Sequence, residues 1–202
     1  MRVKICGITN AADALAAVDA GADAIGFVFV RSSRRYIDPG AAGEIVREIA
    51  PFVTCVGVVA DRRKEEVREI LKLSRVSAIQ FHGNERPEEL AGYPVPVYKA
   101  FRVSEGFRPE SLGNYPGPAY LLDTGVPGEL GGTGKSFDWK IAAAAGQFGR
   151  IILAGGITPE NVAEAIRTAT PYAIDVSSGV ESAPGVKDHD KLRRLFAAIR
   201  GS

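Results

Sequence analysis

The chain has few of the cysteines that form disulfides in small secreted folds and few of the residues that bind transition metals. Its 202 residues include only 2 cysteines, 2 histidines, 1 tryptophan and 1 methionine. Two cysteines in a chain of this length do not form a disulfide framework, so we expect a reducing compartment, the cytoplasm. The two histidines lack a surrounding cluster of cysteines or carboxylates at ligand spacing, which argues against a metal site.

Long apolar runs and an excess of charge of either sign are also missing. No apolar run reaches the roughly 18 residues of a membrane span, and the opening MRVKICGITN is too short of apolar residues for a signal peptide. The formal net charge is +1, with 24% charged residues, which gives no overall attraction to nucleic acid or to an anionic membrane. An anionic ligand would therefore be bound by a local site.

What the sequence does contain is a regular alternation of short apolar runs and stretches with helical spacing. The runs are nearly continuous in apolar residues, as is typical of strands that are covered on both faces. Eight candidate strands occur, at 3–6, 24–30, 53–60, 78–81, 95–101, 119–122, 151–154 and 172–176. Candidate helices occur at 11–20, 39–49, 64–73, 87–91, 139–145, 159–168 and 190–199. Asn10 and Asp38 are expected as helix caps and Pro159 as a first helical residue. The segment 101–119 is rich in glycine and proline, so only a short helix or an irregular loop fits there.

Eight strand-then-helix units in one domain, residues 1–202, admit two architectures. They form either a closed eight-stranded barrel or an open doubly wound sheet, and the count of eight favours the α/β class with a (β/α)8 barrel, eight parallel strands and compact loops. In such barrels the active site lies at the carboxyl ends of the strands. The residues that follow each run are therefore the candidates for chemistry.

Cys6 and Asp123 each stand at the end of a candidate strand. A cysteine at the barrel mouth beside a helix start can have a lowered pKa and act as nucleophile or base, although a buried apolar cysteine is the commoner reading of one such residue. A carboxyl against a dry wall has a raised pKa that suits a general acid, although turn and cap aspartates are common. The residues alone leave both alternatives open.

Basic and polar side chains follow the second and fourth runs. Three arginines fall within residues 31–35, namely Arg31, Arg34 and Arg35. Such a cluster suits a carboxylate or phosphate ligand, or else it is a solvated basic loop. Gln80 and His82 end the fourth run, where His82 is either a proton carrier and pocket wall or a hydrogen-bonded structural histidine. His189 is expected as a cap or surface residue of the last helix.

Glycine-rich loops after the last two strands are the strongest physical signal in the chain. Gly155 and Gly156 follow the seventh run, and Ser178 and Gly179 follow the eighth. Barrels often bind a phosphate there through backbone N–H groups, although tight turns alone also use glycine. The stretch GGTGKS at 131–136 is out of register for a nucleotide-binding P-loop, so we expect it to be a glycine-rich loop that closes over the site.

Taken together, these segments resemble the phosphoribosylanthranilate isomerase family. The resemblance rests on seven stretches in order: VKICGIT at 3–9, GFVF at 26–29 with SRRY at 33–36, QFHG at 80–83, LLD at 121–123, GGTGKSFDW at 131–139, AGGI at 154–157 and DVSSGVE at 175–181. It runs from Arg2 to the last helix and is weakest over 101–118. The family often has a proline and a basic residue in the loop after the second strand, where this chain has Arg31 and Ser32.

The resemblance implies an Amadori rearrangement of N-(5-phosphoribosyl)anthranilate to 1-(2-carboxyphenylamino)-1-deoxyribulose 5-phosphate in tryptophan biosynthesis. It places the general base on Cys6, the general acid on Asp123 and the contact to the anthranilate carboxylate on Arg35. Gln80, His82, Gly155, Gly156, Ser178 and Gly179 are the further substrate-binding candidates. No cofactor is expected, because the substrate nitrogen is itself the electron sink, and the chain is expected to act as a monomer or homodimer.

Two other kinds of function compete with this one: another phosphosugar barrel enzyme, such as a histidine-pathway aminoaldose isomerase or a pentose-phosphate epimerase, and a binding barrel without activity. A histidine-pathway aminoaldose isomerase resembles a duplicated half-barrel with aspartates at both catalytic strand ends, whereas here the first strand ends in Cys6. A phosphosugar-binding barrel that has lost its activity is disfavoured by the joint presence of Cys6 and Asp123.

Overall fold

Eight parallel strands close into a barrel in the computed structural model, which describes residues 1–49, 51–124 and 137–201. Each strand pairs with its neighbours in chain order, and β1 pairs with β8 to complete the ring. The strands are β1 (Arg2–Cys6), β2 (Ala24–Val28), β3 (Thr54–Val59), β4 (Ala78–Phe81), β5 (Val97–Val103), β6 (Ala119–Thr124), β7 (Arg150–Leu153) and β8 (Ala173–Val176). This closure confirms the (β/α)8 prediction and excludes the open sheet.

Helices cover the outside of the barrel. The described part of the chain contains α1 (Ala11–Ala20), α2 (Pro39–Ile49), α3 (Lys64–Ser74), α4 (Trp139–Ala145), α5 (Val162–Ala169) and α6 (His189–Arg200). Short 3₁₀ helices occupy Pro87–Leu90 and Pro109–Asn114, and a small hairpin of β9 (Glu181–Ala183) and β10 (Val186–Lys187) follows β8. Within the described ranges, no helix has both the length and the apolar character needed to cross a membrane.

Alternate residues of each strand face the helices and the barrel interior. On β1, Val3 and Ile5 join the large apolar cluster that includes the inner faces of the helices. Lys4, between them, bonds to Gln80 on β4, a strand that is not adjacent to β1, so the contact crosses the barrel interior. Since side chains alternate along a strand, Cys6 also faces inward. The strand ends therefore carry inward-facing side chains to one rim.

Local capping explains where the helices begin. The Asn10 side chain accepts a hydrogen bond from the Asp13 N–H, and the Asp38 side chain accepts one from the Gly40 N–H, as expected of caps. The prediction that a helix begins at Pro159 is wrong, because α5 begins at Val162. The Asn161 side chain instead accepts from the Thr158 N–H and donates to the Gly156 carbonyl, which holds residues 158–161 as a turn.

Two strands extend further toward the mouth than predicted. β5 begins at Val97 rather than at residue 95, because Pro96 has no N–H to donate to the ladder, and it runs to Val103. β6 runs to Thr124, so Asp123 lies inside the strand and pairs in register with Arg102. The added ladder fixes Asp123 more firmly than a loop position would. The segment 101–119 forms only a short 3₁₀ helix between these strands, as expected.

Gly43 sets the distance between α2 and α3, and replacing it with alanine tests this packing. A Cβ at residue 43 would collide with the Leu73 carbonyl oxygen of α3. In an open helix the change to alanine gains about 1 kcal/mol. Here we expect Gly43→Ala to lower the free energy of unfolding by about 1–3 kcal/mol, the usual cost of overpacking. Urea unfolding measures it.

The matched control is Gly146→Ala, where nothing lies within 4 Å of the added Cβ. It is expected to be neutral or to stabilise by up to about 1 kcal/mol. Equal effects of the two substitutions would show that the helices do not require a glycine at residue 43.

Candidate active site

An open cavity of about 790 Å³, including its opening to solvent, lies at the carboxyl ends of the barrel strands. Apolar side chains of β2, β3 and the loops form part of its wall. Polar groups from six of the eight strand ends or the loops after them form the rest. The lining comprises Cys6, Val28, Val30, Ser33, Arg35, Val58, Ala60, Gln80, His82, Asp123, Ala154, Gly155, Gly156, Ile157, Asp175, Ser177 and Ser178. The barrel thus brings all but one of the predicted site residues to one cavity.

Cys6 occupies the last position of β1 and is 8% exposed. Its Sγ lies 2.7 Å from the point where a Cβ on Gly26 would stand, so the glycine in β2 makes room for the thiol. The sequence left open either a reactive thiol of lowered pKa or a buried apolar cysteine. The structure favours the second for the ligand-free protein, because burial raises the pKa of Cys6 above its ordinary value. The positive charge of Lys4 opposes this rise more than any other group does.

Asp123 lines the same cavity from β6 and is 6% exposed. Its Oδ1 accepts a hydrogen bond from the Thr124 N–H at 2.8 Å. Burial, followed by the negative charge of Asp175, raises the pKa of Asp123 to about 6, which confirms the expected direction. Strands β7 and β8 separate Asp123 from Cys6 on the shorter way round, so the thiol and carboxyl face the cavity from different sides.

A buried hydrogen-bond network fixes the protonation of His82. The Gln80 Oε1 accepts from the Lys4 ammonium and from the Tyr98 hydroxyl, each at 3.0 Å. Lysine can only donate, so the Gln80 Nε2 is the group that lies 3.0 Å from the His82 Nδ1, and that nitrogen must accept. Burial, with the nearby charge of Arg102, lowers the pKa of His82 to about 3.

Neutral His82 therefore carries its proton on Nε2. This nitrogen is buried, has no hydrogen-bond partner within the described part of the chain, and lies 3.5 Å from the Asp123 Oδ2. A hydrogen-bonded histidine and a cavity wall were separate alternatives in the sequence, and in the structure His82 is both. Its N–H is directed at the space beside the carboxyl.

A lysine and an aspartate form an ion pair just below the cavity. Lys4 Nζ lies 2.9 Å from Asp175 Oδ2, and the side chains are 6% and 8% exposed. The Asp175 Oδ1 is buried and has no hydrogen-bond partner among residues 1–49, 51–124 and 137–201, while Asp175 itself lines the cavity. Sequence analysis did not single out either residue. The available signal was a charged residue within an apolar strand run, which is rare unless the charge is paired.

Arg35 reaches the cavity from the loop after β2. Its Nε and one terminal nitrogen donate to the two oxygens of Glu181 at 2.8 and 2.7 Å. Glu181 also accepts from Lys187, whose ammonium donates to the carbonyl of Cys6 at 2.6 Å. The Arg35 side chain lies across Gly7, where a Cβ would stand 2.6 Å from the Arg35 Cδ. Gly7 has φ of 78°, so it is needed for both its conformation and the space it leaves.

The other members of the arginine cluster stay outside the cavity. Arg31 and Arg34 are exposed, and the Arg31 guanidinium lies 5.9 Å from the centre of the Tyr36 ring. Glu181 and Lys187, which hold Arg35 in place, were not predicted, because they are far from it along the chain. Of the three arginines, only Arg35 is positioned to meet a ligand.

The two glycine-rich loops meet at the side of the cavity. Gly155, Gly156 and Ser178 line it, whereas Gly179 does not. A Cβ on Gly179 would collide with the Ile157 carbonyl oxygen, so this glycine packs the loop after β8 against the loop after β7. Gly155 has φ of 82° and lies against Asp123 and Thr124. The predicted glycine-rich loop at 131–136 lies outside the described residues.

Comparison with known proteins identifies this arrangement. The family model described as N-(5'-phosphoribosyl)anthranilate isomerase matches residues 3–198. A relative of that name from Trichlorobacter lovleyi is 50% identical over 197 residues, which cover 97% of this chain and 96% of the relative. The chain belongs to the N-(5'-phosphoribosyl)anthranilate isomerase family.

Solved structures of the isomerase family share the whole barrel. The phosphoribosylanthranilate isomerase from Thermus thermophilus superposes with a TM-score of 0.92 at 46% identity, covering 100% of this chain and 99% of that one. Another phosphoribosylanthranilate isomerase, solved with reduced 1-(o-carboxyphenylamino)-1-deoxyribulose 5-phosphate, is 39% identical with a TM-score of 0.88 and full coverage of both chains.

The raised pKa of Asp123 makes stability depend on pH in a defined direction. Between the unfolded value of 3.8 and the folded value of about 6, the folded protein keeps a proton that the unfolded chain has lost. This contribution is full at low pH and is lost as the pH rises through about 6, by up to about 3 kcal/mol. We expect Asp123→Asn to gain about 2–3 kcal/mol over the parent between pH 4 and pH 8.

Chemical denaturation at the two pH values measures this gain. Asp19→Asn, at an exposed aspartate of α1, is the control and should follow the parent at both. Parallel behaviour of Asp123→Asn and the parent would show that the folded state does not favour the protonated carboxyl.

Proposed function

We propose that this chain catalyses the Amadori rearrangement of N-(5'-phosphoribosyl)anthranilate, with Asp123 as general acid and Cys6 as general base. The observation that carries the proposal is that a carboxyl with a pKa of about 6 and a thiol line one cavity from different sides. The reaction requires proton transfer at two atoms of one bound sugar, the ring oxygen and C2. Groups that stand apart serve two such atoms better than groups side by side.

The acid acts first. The Asp123 carboxyl gives its proton to the furanose ring oxygen while the bond from that oxygen to C1 breaks. The lone pair of the substrate nitrogen forms the double bond to C1, which gives an open-chain Schiff base. A pKa near the working pH lets one group both give and regain a proton. The His82 Nε2–H, which has no hydrogen-bond partner among the described residues, faces the same space and is placed to donate to the sugar.

The base acts second. The Cys6 thiolate takes the proton from C2, and the electron pair of that bond flows toward the nitrogen, which gives an enolamine. Protonation of C1 and loss of the hydroxyl proton at C2 then give the ketone. Atoms and electrons balance without a cofactor, because the iminium nitrogen accepts the electron pair. The apolar wall around Cys6, formed by Val28 and Val58, keeps water away from the thiolate.

The substrate's two anionic groups have separate binding sites in this proposal. Arg35 binds the anthranilate carboxylate, since its guanidinium keeps N–H groups that Glu181 does not use. The backbone around Gly155, Gly156, Ser178 and Gly179 binds the phosphate, with Gly179 acting by packing rather than by lining the cavity. Gln80 completes the substrate contacts from the cavity floor.

We further propose that the protein works in the cytoplasm on this small phosphosugar as a monomer or a homodimer, without nucleic acid or membrane. The near-neutral net charge of +1 supports the absence of a polyanionic partner.

Removal of either catalytic group is expected to lower kcat. Cys6→Ala removes the base and Asp123→Asn removes the acid, and each group is worth about 10²–10⁴-fold. KM should change less, because the carboxylate and phosphate contacts lie elsewhere. The loss of substrate fluorescence at steady state measures both constants. Cys55→Ala, at the other buried cysteine, which lies outside the cavity, is the control and should keep the parental kcat. Parental kcat in both Cys6→Ala and Asp123→Asn would place the chemistry elsewhere.

Loss of the carboxylate contact is expected to act mainly on binding. Arg35→Ala removes a charge-assisted contact and should raise KM by about tenfold or more, the effect of roughly 1.5–3 kcal/mol. Arg34→Ala removes an adjacent but exposed arginine and should leave KM unchanged. An equal KM for both variants would exclude Arg35 from substrate binding.

A further inference from the structure

Lys4 is a buried charge that the proposed mechanism leaves unused. It lies in the middle of β1, is 5% exposed, and is not among the residues that line the cavity. A lysine in such a place is costly unless its charge is compensated. Asp175 and Gln80 take two of its three N–H donors, at 2.9 and 3.0 Å. The remaining donor and the positive charge need a further role.

Geometry places the end of Lys4 beside the Cys6 thiol. The two residues are two positions apart on β1, so both side chains point into the barrel. A Cβ on Gly26 would stand 2.7 Å from the Cys6 Sγ and 3.0 Å from the Lys4 Cε. The sulfur and the last carbon of the lysine therefore flank the same empty point, with no side chain between them.

We propose that Lys4 is a positioning residue that stabilises the Cys6 thiolate from below the cavity floor, with Asp175 and Gln80 holding its ammonium in place. The inference rests on the proposed function, in which the thiolate is the base. Cys6 is buried, and a buried thiolate is unfavourable without a neighbouring cation. Lys4 provides that cation without occupying space that the substrate needs.

The other cations near Cys6 are engaged differently. Lys187 donates to the backbone carbonyl of Cys6, not to its thiol, and shares the Glu181 carboxylate with Arg35. The positive charges of Arg35 and Lys187 thus share one carboxylate, and the group ties the loop after β2 to the hairpin β9–β10 and to the end of β1. Among all groups, the charge of Lys4 lowers the pKa of Cys6 most, ahead of that of Lys187.

Asp175 keeps Lys4 charged and also raises the pKa of the proposed general acid, Asp123. Burial alone lowers the pKa of Lys4, but the Asp175 carboxylate and other neighbours raise it above its ordinary value, so the ammonium persists at working pH. The same carboxylate raises the pKa of both Cys6 and Asp123. The ion pair therefore acts on both catalytic groups, with Lys4 favouring the thiolate and Asp175 favouring the protonated carboxyl.

The test is the pH dependence of Cys6 alkylation by iodoacetamide in the whole protein without substrate, with the modified peptide resolved by mass. Lys4→Met keeps the length of the side chain and removes the charge. We expect it to raise the apparent pKa of Cys6 by at least about one unit. At a pH below the Cys6 pKa of both the parent and the variant, alkylation of the variant should then be about tenfold slower. kcat should fall while KM stays, because Lys4 does not line the cavity.

The matched control is Lys99→Met. Lys99 is also a buried strand lysine paired with a carboxylate, Glu85 at 3.1 Å, but it does not line the cavity and does not adjoin Cys6. The two substitutions remove the same kind of buried charge. The alkylation profile of Cys6 in Lys99→Met should match that of the parent, so a shift confined to Lys4→Met is not a general effect of destabilisation.

A second variant is expected to shift the alkylation profile of Cys6 in the opposite direction, to lower pH. Asp175→Asn removes the carboxylate that raises the pKa of Cys6, so alkylation should begin at lower pH than in the parent. Where Lys4→Met alone does not fold, the double variant Lys4→Met/Asp175→Asn leaves no unpaired buried carboxylate, and its profile should lie at higher pH than that of Asp175→Asn. Within the described residues, the titratable or charged groups around Cys6 lie on or directly after β1, β2, β4, β5, β6, β8 and β10. They are Lys4, Arg35, His82, Tyr98, Asp123, Asp175 and Lys187.

An unchanged profile in folded Lys4→Met, or a profile of the double variant Lys4→Met/Asp175→Asn that coincides with that of Asp175→Asn, overturns the role of Lys4. Failure of the proposed function gives a different result, because turnover would then be absent in the parent whatever the alkylation shows.

Discussion

The pairing of β1 with β8 is the constraint on which the site depends. It closes the sheet, and its register sets Lys4 of β1 opposite Asp175 of β8. These residues are 171 positions apart in the chain, yet their ion pair spans the seam of the barrel. Without closure, the strand ends that carry Cys6 and Asp123 would lie along an open edge, with no shared cavity between them.

The charges inside the barrel are arranged as compensated sets. Lys4 is held by Asp175 and Gln80, and the Arg35 guanidinium and Lys187 share Glu181. Breaking a buried pair of this kind costs about 3–5 kcal/mol, because it leaves an unpaired charge in a dry interior. Such groups add little net stability compared with apolar residues. We propose that their value lies in the electric field they set at the Cys6 thiol and the Asp123 carboxyl, which would tune proton transfer.

The fold could be read from the sequence because every part of the signal was local. Strand runs, caps such as Asn10, and glycines after strands all depend on a few neighbouring residues. Two errors in the predicted element boundaries also have local causes. The Asn161 side chain accepts a hydrogen bond from the Thr158 N–H and forms a turn, so α5 begins later than predicted. Pro96 has no N–H to donate to the sheet, so β5 also begins later. Cys6 and Asp123 became candidates because the strand ends of a barrel converge, whereas Arg35 was singled out among the three arginines only by the family resemblance.

The sequence did not predict the residues that hold the site side chains in place and set their pKa values. Lys4 and Asp175 meet only through barrel closure, and Glu181 reaches Arg35 from 146 positions away. The direction of the pKa shift at Cys6 stayed open in the sequence for the same reason: a helix start nearby can lower the pKa, whereas the depth of burial, which depends on the whole barrel, raises it. The tautomer of His82 likewise follows from a chain of contacts through Gln80 that joins three strands.

The most direct test of the central claim is the identity of the product that the purified parent protein forms from N-(5'-phosphoribosyl)anthranilate. Mass spectrometry should find a product with the mass of the substrate that takes up hydride from borohydride at a ketone, while the substrate fluorescence disappears. Release of free anthranilate, or persistence of the substrate, would contradict the account.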